Sequence, residues 1–222
     1  MLDAQGRKAE LASWLGALAR SAANNDLLAR VDALAAAGGF DDVREAVLRR
    51  RVETTRDPVT QLRLRIELAR WREGRGDAAS ARQIIDEVLK NHPRILGAVR
   101  AAADLHWRAG AHARAIDILE RAAADSYPEL RRRFLREAAG KATESADYAR
   151  ARRLLESLLQ DAPLDPGLLA AMAETWEREG NVSALRSFYT AKIDELRQSS
   201  LPAADKETRL AALRRNYIPV LA

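Results

Sequence analysis

From residue 58 onward, stretches rich in Ala, Leu and Ile spaced three and four apart alternate with short breaks built from Gly, Asp, Asn and Pro. That is the pattern of amphipathic helices joined by tight turns. Four breaks stand in register: Gly76-Asp77, Gly110-Ala111, Ala146-Asp147 and Gly180-Asn181, separated by 34, 36 and 34 residues. Seven residues before each comes an alanine (Ala69, Ala103, Ala139, Ala173), and five after each comes Ala81, Ala115, Ala151 or Leu185. Four further on stand Ile85, Leu119, Leu155 and Tyr189, and Pro93, Pro128 and Pro163 close the first three units.

Small residues at facing positions let two antiparallel helices approach, while the bulky residue a turn away fills the space beside them. A pair of this kind leaves one apolar face uncovered and must stack on the next pair. The breaks carry matching chemistry, since Gly takes a left-handed conformation just past a helix end and Asp or Asn caps the following helix. Asp57-Pro58 and Asp165-Pro166 set a capping carboxylate before proline at the first helical position, and Ser126 and Glu129 are spaced as a capping box around Pro128. The pattern predicts helices over 58–74 and 77–91, 95–109 and 112–125, 127–143 and 147–161, and 166–179 and 182–198. Upstream, a more degenerate pair turns at Gly38-Gly39-Phe40, after one helix over 3–22. Downstream, "PAADKETRLAALRR" reads as one amphipathic capping helix, followed by the apolar tail "NYIPVLA".

The period, the two alanine places, the bulky residue and the closing proline resemble the tetratricopeptide repeat over roughly residues 59–198, and only weakly over 24–56. The chain departs from that family in lacking a Trp-Leu-Gly start, in placing Arg72, His106, Ala142 and Trp176 where a tyrosine is usual, and in Leu185. The resemblance implies an all-α fold, a right-handed α-solenoid of stacked antiparallel helix pairs. Residues 1–56 would hold the N-terminal helices with one degenerate repeat, 57–199 four repeats, and 200–222 the capping helix and tail, in one continuous solenoid domain. "IELARWREGRGDAASARQIIDEVL" and "MAETWEREGNVSALRSFYTAKI" also resemble half-a-tetratricopeptide repeats, which are associated with RNA-processing assemblies.

In the family, four places of each first helix line a concave binding face. Here they would be Arg63, Ile66, Arg70 and Glu73; Gly97, Arg100, Asp104 and Trp107; Arg133, Arg136, Gly140 and Thr143; Gly167, Ala170, Glu174 and Glu177. Arg63, Arg70, Arg100, Asp104, Trp107, Arg133 and Arg136 are the expected binding residues, because Arg holds carboxylates in a bidentate fork and Trp is a rigid apolar anchor. The competing reading pairs these arginines with Asp104, Glu73 and their neighbours along the helices. The carboxylate-clamp asparagines of the family are missing, so recognition of a chain terminus is not implied.

Composition narrows the chemistry. Of 222 residues none is Cys, which leaves neither a disulfide nor a thiolate ligand or nucleophile. His92, His106 and His112 do not form a metal-binding i, i+4 pair, and with no strand expected there is no phosphate loop after one. No metal, cofactor or catalytic residue is implied. No apolar run reaches the ~20 residues of a membrane span. The net charge of +5 comes almost wholly from Arg, and the triplets Arg49-Arg50-Arg51 and Arg131-Arg132-Arg133 invite a nucleic-acid reading. Three consecutive helical residues, however, point about 100° apart. Arg75-Gly76-Asp77 matches an adhesion tripeptide and Asn181-Val182-Ser183 a glycosylation acceptor, yet both sit at the recurring turn and need no other explanation. High Arg and Ala suit a GC-rich bacterial genome.

The function expected from the sequence is a non-catalytic protein-interaction scaffold, holding a peptide or partner helix, acidic in character, in the groove; a cytoplasmic setting is favoured. The alternatives are an RNA-associated scaffold, or a structural segment of a larger multidomain protein.

Overall fold

In the computed structural model the described residues are 4–221, with side chains described for 5–211 and 213. Twelve helices follow one another among them: α1 (Ala4–Ser21), α2 (Asn25–Gly38), α3 (Asp41–Thr54), α4 (Pro58–Gly74), α5 (Ala78–Asn91), α6 (Leu96–Arg108), α7 (His112–Ala124), α8 (Pro128–Glu144), α9 (Tyr148–Asp161), α10 (Pro166–Glu179), α11 (Val182–Gln198) and α12 (Ala203–Leu221). The helices expected from the pattern are all present, with ends displaced by a residue or so. The tail from Asn216 continues α12, and the docking of its side chains lies outside the described residues.

The chain forms two compact units, Met1–Leu105 and His106–Ala222. In the first, α1, α2 and α3 enclose a core of Leu15, Ala19, Leu28, Val31, Val43 and Val47, onto which Phe40 packs. Further along, α3 packs on α4 and α4 on α5, and Leu62, Val88 and Ala98 join three helices with Ile66 packed against them. In the second unit, consecutive helices from α7 to α12 pack on one another in order.

Each recurring small residue is in the interior: Ala69, Ala81, Ala103, Ala115, Ala139, Ala151, Ala173 and Leu185 are all at most 2% exposed. The bulky places Ile85, Leu119, Leu155 and Tyr189 are buried as well. Burying side chains of that size stabilises by about 1.5–3 kcal/mol each, so the repeated spacing is the source of the stacking.

The turns are also equivalent in geometry. Gly39, Gly76, Gly110 and Gly180 have φ of +67, +85, +76 and +73°, and Ala146 takes the same left-handed conformation at +61°. The next amide donates back across the turn each time: Phe40 to Ala35, Asp77 to Arg72, Ala111 to His106, Asp147 to Ala142 and Asn181 to Trp176, at 2.8–2.9 Å. This six-to-one bond satisfies a carbonyl that the helix end would leave open. The degenerate first pair shares it, although little in its sequence matches the later repeats.

Capping follows expectation at Asp57, Asp77, Asp165 and Asn181, whose side chains accept from the amides of Thr60, Ser80, Leu168 and Ala184. Asp77 therefore caps α5 while Arg75 bridges Asp41 and Asp42 at 3.3 and 3.0 Å, and the adhesion-like tripeptide is fully used by the fold. Asn181 likewise serves as a cap. The capping box at Ser126 and Glu129 does not form. Tyr127 holds the N-cap position of α8 without a side-chain cap, and the Ser126 hydroxyl donates instead to the Ala122 carbonyl at 2.6 Å, closing α7. The connection is so short that Ser126 stands one residue too early to reach the α8 amides.

The four residues at the tyrosine place fill it differently. Arg72 is only 17% exposed and donates to Glu45 at 3.1 Å; His106 and Ala142 are buried; Trp176 packs on Phe188 with centroids 4.8 Å apart.

Candidate binding groove

Within the second unit α9 packs against both α8 and α10. Arg136 of α8 reaches Asp165 at the start of α10, and Glu144 and Arg178 near the two C-terminal ends share one lining, so α8 and α10 run in the same direction. Between them opens a groove of about 360 Å³, whose lining includes Arg136, Gly140, Thr143, Gly167, Ala171 and Glu174. Five of these are positions that the family resemblance would place on a concave face. Helical periodicity explains the alignment: on α8, Arg133, Gly140 and Glu144 are spaced i, i+7, i+11, and on α10, Gly167, Ala171, Glu174 and Arg178 repeat that spacing, so each set lies on one stripe.

Ala139, Gly140, Gly167 and Ala171 carry at most a methyl group along the floor, and Leu155 and Leu168 complete its apolar lining. Its two ends are charged. At one, the Arg136 guanidinium reaches Asp165 at 3.3 Å, and Arg133 lies exposed a turn earlier. At the other, Glu144 ends α8, and Glu174 pairs with Arg178 at 2.8 Å. Among the described residues the side chains of Arg133 and Glu144 have no hydrogen bond or ion pair. The Thr143 hydroxyl is spent on the Ala139 carbonyl at 3.0 Å. What the lining offers is a shallow floor with a charged pole at each end.

The other expected site residues are placed as follows. In the first unit Arg63 and Arg70 share one exposed face of α4, with no hydrogen bond or ion pair among the described residues. Ile66, between them, is turned partly into the core. Arg100 is exposed and Asp104 half-buried on α6. In the second unit Trp107 is half-buried, stacked on His112 with centroids 4.2 Å apart, and the Lys141 ammonium lies 4.8 Å over its ring. The arginine triplets are largely tied down: Arg49 to Glu45, Arg50 to Glu53 and the Ala22 carbonyl, Arg131 to Asp161 and Ser157, Arg132 to Glu129.

Sequence reasoning misses Glu144 and Arg178 as groove residues. The i+11 step from Arg133 and from Gly167 is the signal that would have found them. It also misses a clamp away from the groove, where Arg150 of α9 donates to Asp117 and Glu120 of α7. That hydrogen bond, more than the neighbouring charges, holds the Glu120 carboxyl below its usual range against a smaller opposing effect of burial.

Among the described residues no group of three or more His, Asp or Glu side chains gathers to hold a metal, and no helix is long and apolar enough to cross a membrane.

Solved structures resemble this arrangement. A tetratricopeptide repeat protein from Parabacteroides merdae is similar at TM-score 0.52 and 14% identity, over 87% of this chain and 72% of that one. MamA from Desulfovibrio magneticus RS-1, from residue 41 to its end, is similar at TM-score 0.47 and 12% identity, over 79% of this chain and 97% of that one. A structure of Naa15/Naa10 bound to HypK-THB is similar at TM-score 0.49 and 15% identity, over 97% of this chain and 30% of that one. The first likeness shows the fold, a tetratricopeptide-type helical repeat. No family model matches the chain, and no curated protein matches its sequence.

Proposed function

We propose that the chain is a non-catalytic interaction scaffold that holds a peptide or a partner's helix in the groove between α8 and α10. The observation that carries this reading is the groove itself: an open channel lined by exposed Arg136, Gly140, Gly167 and Glu174 and by buried Thr143, which one helical periodicity brings to one place. Extended grooves between first helices are where helical repeats offer surface to partners. The acidic partner expected from the sequence would be met at the Arg133 and Arg136 end.

Protein is favoured over RNA as the partner, because two arginines of each triplet are engaged in ion pairs and three consecutive helical residues present no continuous basic stripe. Affinity capture with mass spectrometry identifies the partner, and the doubly substituted Arg133→Glu, Arg136→Glu chain then tests the site. An acidic partner should lose at least about tenfold in affinity, roughly 1.4 kcal/mol. Unchanged affinity, with thermal unfolding also unchanged, rejects the groove.

A further inference from the structure

Resting on the groove reading above, the geometry points to an α-helical occupant of fixed direction, lying antiparallel to α8 and α10 with its N-terminal turn at Glu144 and Glu174 and its C-terminal turn at Arg133 and Arg136.

Two independent features lead there. The first is Gly140. It lies inside α8 with right-handed backbone, so no turn requires it, and a methyl group built on it would meet nothing within 4 Å. Gly167 differs, since a methyl group there would come within 3.3 Å of Asp165 Oδ1. Glycine within a helix costs stability relative to alanine, and at 140 the fold gains nothing in return. Gly74 and Gly97 are equally open in their helices, so openness by itself marks no site; Gly140 is set apart from them by lining the groove, where a bare Cα lets another backbone approach closely. An occupant helix seated over Gly140 and Ala171 can lie nearer the floor than any larger side chain would permit.

The second is the direction of the field along the groove. Parallel α8 and α10 turn their positive N-terminal poles to one end and their negative C-terminal poles to the other. The uncommitted side chains agree in sign with those poles: Arg133 lies early on α8 and Glu144 at its end, eleven residues or about 16 Å apart along the axis. A third helix is therefore attracted antiparallel and repelled parallel. Basic residues in its first turn would meet Glu144, acidic residues in its last turn Arg133, and small or apolar residues the floor between.

The test uses the full chain and two synthetic peptides of about four turns, each locked as a helix by a hydrocarbon staple on its outer face and carrying alanines on its inner face. One has lysines in its first turn and glutamates in its last; its twin has the two exchanged. Fluorescence anisotropy should show the first peptide binding about tenfold or more tightly than its twin. The Arg133→Glu, Glu144→Arg chain should invert that preference, and Gly140→Ala should raise Tm while weakening both peptides severalfold. Equal binding of the twins overturns the direction and leaves the groove reading standing, whereas failure of both peptides to bind overturns the two together. A Gly140→Ala chain that unfolds at a lower temperature, or that binds as tightly as the parent, overturns the role given to the glycine.

Discussion

Asp165 uses both oxygens: Oδ2 takes the Arg136 guanidinium of α8 at 3.3 Å, and Oδ1 accepts the Leu168 amide at 2.9 Å as the cap of α10. One carboxylate thus starts a helix and holds a groove arginine. The two roles separate by substitution. Asp165→Ala should lower stability by about 1 kcal/mol through the lost cap, while Asp165→Ser, which still caps, should restore most of it. Both release Arg136, so both should bind an acidic peptide more tightly than the parent. Thermal unfolding and peptide anisotropy on the two variants check this, and an Asp165→Ser chain as unstable as Asp165→Ala would assign the stability to the ion pair.

Ala146 occupies the place that Gly39, Gly76, Gly110 and Gly180 hold in the other turns, at the same positive φ. An L side chain in that conformation is strained by roughly 1–2 kcal/mol, part of which is offset by the smaller chain entropy that alanine loses on folding. Ala146→Gly should therefore stabilise the protein by about 0.5–1 kcal/mol, and Gly110→Ala should destabilise it by a similar amount. Urea unfolding measures both.

Acid sensitivity should centre on carboxylates whose pKa folding lowers. Asp57 and Asp77 lie below the free value of 3.8, chiefly through hydrogen bonds from the Thr60 and Ser80 side chains, and Glu120 lies below 4.5, chiefly through Arg150. A lowered folded pKa adds stability that is fully present above the unfolded value and is lost as pH falls through the folded one. Stability should hold down to about pH 5 and decline below it. Arg150→Gln should flatten that decline by removing the Glu120 share, as urea midpoints measured across the acid range would reveal.

Nucleic-acid binding makes a different claim about salt. Since most of the triplet arginines are already paired, a generic RNA oligonucleotide should bind weakly, and Arg131→Gln should change its affinity little. A steep fall in RNA affinity with salt, of the kind produced when several phosphates are neutralised, together with a large loss on Arg131→Gln, would favour the RNA reading. Titrating RNA and the groove peptide over the same salt range gives the comparison.

The helices and their pairing were legible because they depend on local rules. Alanine spacing, Gly at the left-handed turn and Asp before proline each act within a few residues. The first pair was faint because its small and bulky places do not match the later ones, while its turn at Gly39 keeps the shared backbone geometry. Five of the places that line the groove were legible only through the tetratricopeptide resemblance, and Glu144 and Arg178 follow from the spacing on α8 and α10 once the groove is seen. Contacts between distant residues were not: the Lys141 ammonium over Trp107, the bond from Arg136 to Asp165 and the Arg150 clamp join residues some thirty apart, and no local pattern encodes them. Ser126 was misread because its spacing suits a capping box, and only the tightness of the α7–α8 connection decides which helix its hydroxyl serves.

Amide hydrogen exchange of the full chain, with and without its captured protein partner, tests the central claim most directly. The account predicts slowed exchange along residues 136–144 of α8 and 167–178 of α10 when the partner is bound. Protection confined to other helices, with those two segments unchanged, would contradict it.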